Sequence, residues 1–250
     1  MSLDESLAAA IIQAAGCDPR GEAFQSGVVI KTLTKTGLET VIFLLTHGAD
    51  PNGRSRTSGK EFWRSMLLIC VDRNIQVDTA LQCAKLLLDS GADMNDVTEV
   101  DLGAIAYRWE QPPRSRIWPL QFASKSAHAF DFSSCPDIPF VQFLLDQGCN
   151  PNIRDELGET VLMGICKILI NKKSNEEMAS EHDYKFYYQI KEDLDRAEEA
   201  YYQCFALLLT HGADPNIADN DGKSPVSTVT DAHPILYQGL QAAGQRAPLK

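Results

Sequence analysis

One short segment occurs four times in this chain, and it limits the fold more than any other feature of the sequence. It reads LLTHGADPN at 44–52, LLLDSGADMN at 86–95, LLDQGCNPN at 144–152 and LLLTHGADPN at 207–216. In each copy leucines close an amphipathic helical stripe. Gly48, Gly91, Gly148 or Gly212 then stands where a helix ends on a left-handed residue. The Asp or Asn, Pro or Met, and Asn that follow open an extended turn, and Pro51, Pro151 and Pro215 exclude helical continuation. Self-similarity on this scale is the mark of stacked repeat architectures.

A second, more worn segment accompanies the first. It reads DELGETVLM at 155–163, DNDGKSPVS at 219–227 and WPLQFA at 118–123, with SGKEFWRSM at 58–66 the most degenerate version. Thr160 and Ser224 are placed to cap an incoming helix with their hydroxyls, and Gly158 and Gly222 supply the tight turn before it. Together the two segments resemble ankyrin repeats. The first looks like the end of the second helix and the start of the hairpin loop, the second like the DxxGxTPLHxA opening of the first helix. Met163, Ser227 and Gln121 stand where the family has its helix-opening histidine. The resemblance implies an all-α chain: an ankyrin-repeat solenoid of stacked antiparallel helix pairs with hairpin loops, here with elongated inserted helices. It also implies a right-handed curved stack whose hairpin tips and first helices line a concave groove.

With weak copies near Gly16 and Gly244 included, the signature glycines are spaced 32, 43, 57, 64 and 32 residues apart. The end steps match the ankyrin unit of roughly 33 residues, so the three middle repeats carry about 10, 24 and 31 extra residues. A single domain over 1–250 is expected. It divides into a partial N-terminal cap at 3–20, a repeat at 21–53, and a repeat with a short insertion at 54–95. A repeat with loop insertions at 96–152, one with a long helical insertion at 153–218 and a C-terminal cap at 219–246 complete it. Atypical ends suit terminal repeats, which have a neighbour on one side only.

The longest insertion reads as helix. Tyr187, Ile190, Leu194, Ala197, Tyr201, Cys204 and Leu208 alternate in steps of three and four, which predicts a second helix over about 183–209 with a coiled-coil seam. The preceding helix, from about Thr160, is expected to pack Ile165, Ile168, Leu169 and Met178 on that seam before a turn around 174–182. Tyr184, Phe186 and Tyr188 offer either an aromatic patch to a partner or simple packing. The insertion at 96–116, with Trp109, two consecutive prolines, Arg114 and Arg116, predicts a long loop that either covers or grips. The segment 130–139 reads as a connection.

Charge and composition narrow the functional classes. With 34 acidic against 23 basic residues the net charge is -11, which repels a phosphate backbone, so no nucleic acid is expected. A basic protein partner is one open reading of the same charge. No apolar run approaches the roughly 18 residues a membrane helix needs, and Asp4 and Glu5 do not suit a secretory signal. No membrane contact and a cytoplasmic location are expected, with nucleus and host cytosol left open. The seven cysteines form no CxxC pair and read as free thiols, most of them in apolar helical patterns. No phosphate loop, GxSxG elbow or HExxH helix occurs. His47 and His211 hold the same position of the repeated motif, which argues for matched structural roles.

The expected function is therefore a protein–protein interaction module, an adaptor, scaffold or inhibitor, acting as a monomer with no catalytic residues, metal or cofactor. The alternatives are an enzyme on a modified ankyrin scaffold and a bacterial effector acting on host proteins. By the resemblance, the partner-binding groove is lined by Arg54, Arg56, Arg154, Glu156, Asn220 and Asp221 on the hairpins and by Trp63 and Trp118 near the starts of first helices. Tryptophan and arginine are the residue types that most often dominate binding energy.

Overall fold

The computed structural model describes residues 3–14, 35–56, 63–70, 77–96, 98–100, 115–124, 135–179, 184–229 and 233–244. Two compact units divide the chain, 1–119 and 120–250. The first holds α1 (Leu3–Ala14), α2 (Lys35–Thr46), β1 (Arg54–Arg56), β2 (Trp63–Ser65), α3 (Met66–Cys70), α4 (Val77–Asp89), β3 (Thr98–Val100) and β4 (Ser115–Ile117). The second holds α5 (Pro119–Ser124, its first residue at the boundary), α6 (Ile138–Asp146), α7 (Val161–Ala179), α8 (Tyr184–Thr210), α9 (Pro225–Thr228) and α10 (Pro234–Gly244).

All four signature copies end their helices by one device. Gly48, Gly91, Gly148 and Gly212 have φ of +88°, +94°, +86° and +86°. The residue after each glycine donates back to the leucine five positions before it: Ala49 to Leu44, Ala92 to Leu87, Cys149 to Leu144 and Ala213 to Leu208, at 2.9–3.0 Å. This is the Schellman arrangement, which satisfies carbonyls a helix end leaves open. The histidines reinforce it where they occur. The Nδ1 of His47 lies 2.7 Å from the Phe43 carbonyl and that of His211 lies 2.8 Å from the Leu207 carbonyl, the matched structural role read from the motif.

The motif's asparagine ties one repeat to the next. In the first unit Asn52 donates its amide to the Gly91 carbonyl at 3.1 Å and accepts from the Asp93 amide at 2.6 Å. In the second unit Asn152 does the same with Gly212 and Asp214, at 3.1 and 2.8 Å.

Helix packing follows the apolar periodicity. In the first unit α4 buries Ala80, Cys83, Ala84 and Leu87, the spacing of one helical face. The helices α1 and α2 approach so closely that a Cβ at Gly37 would land on the backbone of Ala14. In the second unit α6 starts from Asp137, whose carboxylate accepts from the Phe140 amide at 3.1 Å, and buries Phe140, Val141, Leu144 and Leu145. Full burial of a phenylalanine such as Phe140 contributes roughly 2–3 kcal/mol.

The helical insertion has the expected second helix, α8, 27 residues long, or about 40 Å. Ala197, Tyr201, Cys204 and Leu208 are buried along its seam, and α7 packs on it with Ile165, Ile168 and Leu169 buried. The side chains of Tyr187, Ile190, Leu194 and Met178, and those of Tyr184, Phe186 and Tyr188, lie outside the described residues. The turn expected at 174–182 begins later, because α7 runs to Ala179. The stretch SNEEMA contains neither glycine nor proline and four strong helix formers, so nothing in it stops the helix.

Three further expectations are corrected. Trp63 lies in β2, paired with Arg56, and the helix opens only at Met66; the β1–β2 ladder completes the hairpin before the chain turns into α3. The ends of the 96–116 insertion pair as β3 and β4, Thr98 opposite Ile117 and Val100 opposite Ser115, rather than forming loop throughout. β-branched residues at these ends suit a strand pair. Trp109 and Arg114 lie outside the described residues. The connection 130–139 ends as helix, since Asp137 caps α6 and Pro139 sits in its first turn, where its missing N–H costs nothing.

Candidate partner-binding site

The second unit carries two successive hairpins, 153–160 and 217–224, and their turns are built alike. Asp155 accepts from the Leu157 and Glu159 amides at 3.0 and 2.8 Å, while Gly158 donates to the Asp155 carbonyl at 3.0 Å. Asp219 accepts from the Asp221 and Lys223 amides at 3.0 and 2.8 Å, and Gly222 donates to the Asp219 carbonyl at 3.1 Å. Gly158 and Gly222 take φ of +77° and +79°, the left-handed region the turn requires.

Each turn leads into a capped helix. Thr160 accepts from the Met163 amide at 3.3 Å ahead of α7. Ser224 and Ser227 form a reciprocal capping box ahead of α9, at 3.3 and 2.8 Å. Met163, at the family's histidine position, is fully buried; Gln121, at the matched position of α5, is also buried.

Asn220 fastens the two hairpins together. Its backbone amide donates to the Leu157 carbonyl at 2.9 Å and its side-chain amide to the Glu156 carbonyl at 2.7 Å. The Arg154 guanidinium donates to the Gly158 carbonyl at 2.9 Å and reaches the Asn220 side-chain oxygen at 3.5 Å. A Cβ at Gly158 would collide with the Arg154 guanidinium and the Asn220 side chain, so this glycine answers to close approach as well as to φ. Beneath the turns, Lys167 is ion-paired with Glu159 and lies 3.7 Å from Asp219. Partial burial pushes the Asp155 carboxyl up to about 6, with the carboxylates of Glu159 and Glu156 adding to the rise and its backbone donors opposing it.

Of the residues expected to line a groove, Glu156 and Asp221 are exposed at the tips of these hairpins. Arg154 and Asn220 are also exposed, but both hold the hairpins together. Trp118 immediately precedes α5 and is half-buried. Arg54 and Arg56 form β1 opposite β2, which contains Trp63; the side chains of these three lie outside the described residues. The sequence reading passed over Leu157, which is 45% exposed beside Glu156. The signal for it was present: aligning the two turns sets Leu157 against Asp221.

Cys70, Cys83, Cys149, Cys166 and Cys204 are buried and in no disulfide, and burial pushes the Cys83 and Cys166 thiols up to about 12. Among the described residues no group of three or more His, Cys, Asp or Glu is placed to hold a metal ion, and no helix is long and apolar enough to cross a membrane.

Repeated Schellman-terminated helices, asparagine ties between successive repeats and turn-to-helix hairpins define an ankyrin-repeat fold. No protein-family model and no curated protein matches the sequence. Among solved structures the chain is similar to an ankyrin repeat domain from Acinetobacter baumannii AYE, with 20% identity, 97% of each chain covered and a TM-score of 0.50. A likeness of this degree carries the fold.

Proposed function

We propose that this chain is a protein–protein interaction module that holds a partner protein against its hairpin side and carries out no chemistry on it. The observation that carries the reading is the fastening of hairpins 153–160 and 217–224 through Asn220 and Arg154, which holds the exposed Glu156 and Asp221 side chains on a braced loop surface. Surfaces ordered before binding lose less conformational entropy on association, so a braced hairpin is a better binding platform than a free loop. The fold is one commonly used for binding proteins, which fits an adaptor, scaffold or inhibitor in the sense expected from the sequence. An acidic rim also favours a basic partner, and it steers encounter in a salt-dependent way.

The test is affinity capture of a partner, followed by titration of the two purified proteins. The intact chain is compared with a Glu156→Lys/Asp221→Lys double variant. Both positions are exposed, so helicity and melting temperature should be kept. Loss of the complex in the double variant, with the partner chemically unchanged by the intact chain, is the expected result. Equal affinity for both proteins removes the hairpin side as the binding surface, and covalent change in the partner removes the non-catalytic reading.

A further inference from the structure

Resting on the hairpin-side reading above, we propose that Leu157 is the anchor of the binding surface in the second unit, and that its ligand is a polypeptide segment in which an apolar side chain is flanked by lysine or arginine.

The turn that carries Leu157 has no need of a leucine. The sister turn makes the same three internal hydrogen bonds with Asp221 at the matched position, at lengths within 0.1 Å of those around Leu157. At 45% exposure Leu157 also takes little part in the core. An aspartate at this place suits the turn, and leucine adds exposed apolar surface without adding a bond.

The side chain is presented on a fixed backbone. Its own amide donates to Asp155, its carbonyl accepts from the Asn220 amide, and the preceding carbonyl accepts from the Asn220 side chain. An apolar group held this way loses little freedom when it enters a pocket or lies against a chain, the property that distinguishes an energetic anchor from a mobile surface residue.

Charge selects the flanks of the ligand. Exposed Glu156 precedes Leu157, and exposed Asp221 follows Asn220, the residue bonded to the Leu157 carbonyl. Two nearby cations are already engaged: Arg154, though exposed, serves Gly158 and Asn220, and half-buried Lys167 serves Glu159 and Asp219. Lys223, exposed, lies beyond Gly222. The apolar contact is thus bordered by carboxylates on a chain of net charge -11, and complementarity calls for basic residues on either side of an apolar one.

The experiment is selection of a phage-displayed library of random peptides against the immobilised full chain. Fluorescence anisotropy of the enriched synthetic peptides with wild type and variants follows. Enriched peptides should carry an apolar residue between lysines or arginines. Leu157→Asp, a substitution the sister turn shows to be compatible, should weaken them at least tenfold, and Leu157→Asn should do nearly the same. Glu156→Gln/Asp221→Asn should weaken them several-fold, with the difference vanishing at high salt. Peptides of acidic or uncharged character, an absence of enrichment, or equal binding to wild type and both Leu157 variants would overturn the proposal. Equal binding to the Leu157 variants combined with loss in Glu156→Lys/Asp221→Lys would overturn it while leaving the hairpin surface in place. Binding indifferent to all of these variants would remove both.

Discussion

Gly158 and Gly222 form an internal control for what holds the hairpins together. Both lie in the left-handed region, at +77° and +79°, so replacing either with alanine imposes the same backbone strain, about 1–2 kcal/mol. A Cβ at Gly222 meets nothing within 4 Å, whereas one at Gly158 would lie 2.5 Å from the Asn220 side-chain oxygen and 2.9 Å from its backbone nitrogen. The Gly158→Ala side chain can fit only if Asn220 and Arg154 withdraw. That breaks the Asn220 bonds to the Leu157 and Glu156 carbonyls and the Arg154 bond to Gly158. At about 0.5–1.5 kcal/mol for each bond, reduced because water reaches these groups, the extra loss is about 1.5–3 kcal/mol. Gly158→Ala should therefore cost about 2.5–5 kcal/mol where Gly222→Ala costs about 1–2. Urea unfolding followed by far-UV circular dichroism gives the two values, and amide hydrogen exchange at Asn220 reports the local opening. Equal destabilisation by the two substitutions, or unchanged protection of the Asn220 amide in Gly158→Ala, would refute the reasoning.

Other consequences are as open to test. Asp155 has its folded pKa raised to about 6 against about 3.9 for an unfolded aspartate, so the folded state binds the proton more tightly. Its unfavourable charge is absent below about pH 3.9, grows as pH rises through 6 and is constant above; Asp155→Asn should raise the melting temperature at pH 7.5, and the gain should fade in scans toward pH 4. The Cys83, Cys166 and Cys204 thiols, all pushed up by burial, should resist maleimide at pH 7.5 in the folded protein and react after unfolding, as residue-resolved mass spectrometry would show. Phe140→Ala, at a fully buried site, should cost about 3–5 kcal/mol in urea unfolding. Thr160→Ala, which removes the cap on the Met163 amide, should cost about 1 kcal/mol by the same measurement.

What could be read from the sequence was what neighbouring residues settle among themselves. The Leu–Gly pairing of the signature, the hydroxyl caps at Thr160 and Ser224 and the helical spacing of α8 are local, and the glycine ends, the caps, the helix and the buried 197–208 part of its seam appear in the structure where expected. The opening of α3 is not legible in SGKEFWRSM because Glu61 stands two positions after Gly59, where Thr160 and Ser224 follow their glycines as caps, so only the cross-strand pairing with 54–56 reveals that Trp63 belongs to a strand. That Arg154 and Asn220 also fasten the two hairpins to each other is invisible in the sequence, because the contact between them spans 66 positions, a separation that leaves no mark on either local pattern. Leu157 was passed over for a different reason. An isolated exposed leucine means little by itself, and it gains significance only when the two turns are shown to share one hydrogen-bond pattern.

The same comparison explains why the signature persists while the chain between its copies changes so much. The asparagine tie spans 39 residues from Asn52 to Gly91 and 60 residues from Asn152 to Gly212, yet both bonds are 3.1 Å long. The extra length in the second case is largely in α7 and α8, which continue as a packed helical pair and return the chain to the same register. An insertion costs little when it lengthens a pair of helices, because the loop-closure penalty grows only slowly with length. The signature has no such freedom. Its glycine must be left-handed, and at Asn52 and Asn152 its asparagine meets both a carbonyl and an amide of the next repeat, so changing either asparagine unfastens two repeats at once. The helix-opening histidine differs in this respect: at Met163 an apolar side chain fills the interior while Thr160 caps the helix. Wear at the helix opening and constancy at the signature follow from this difference in what each position holds together.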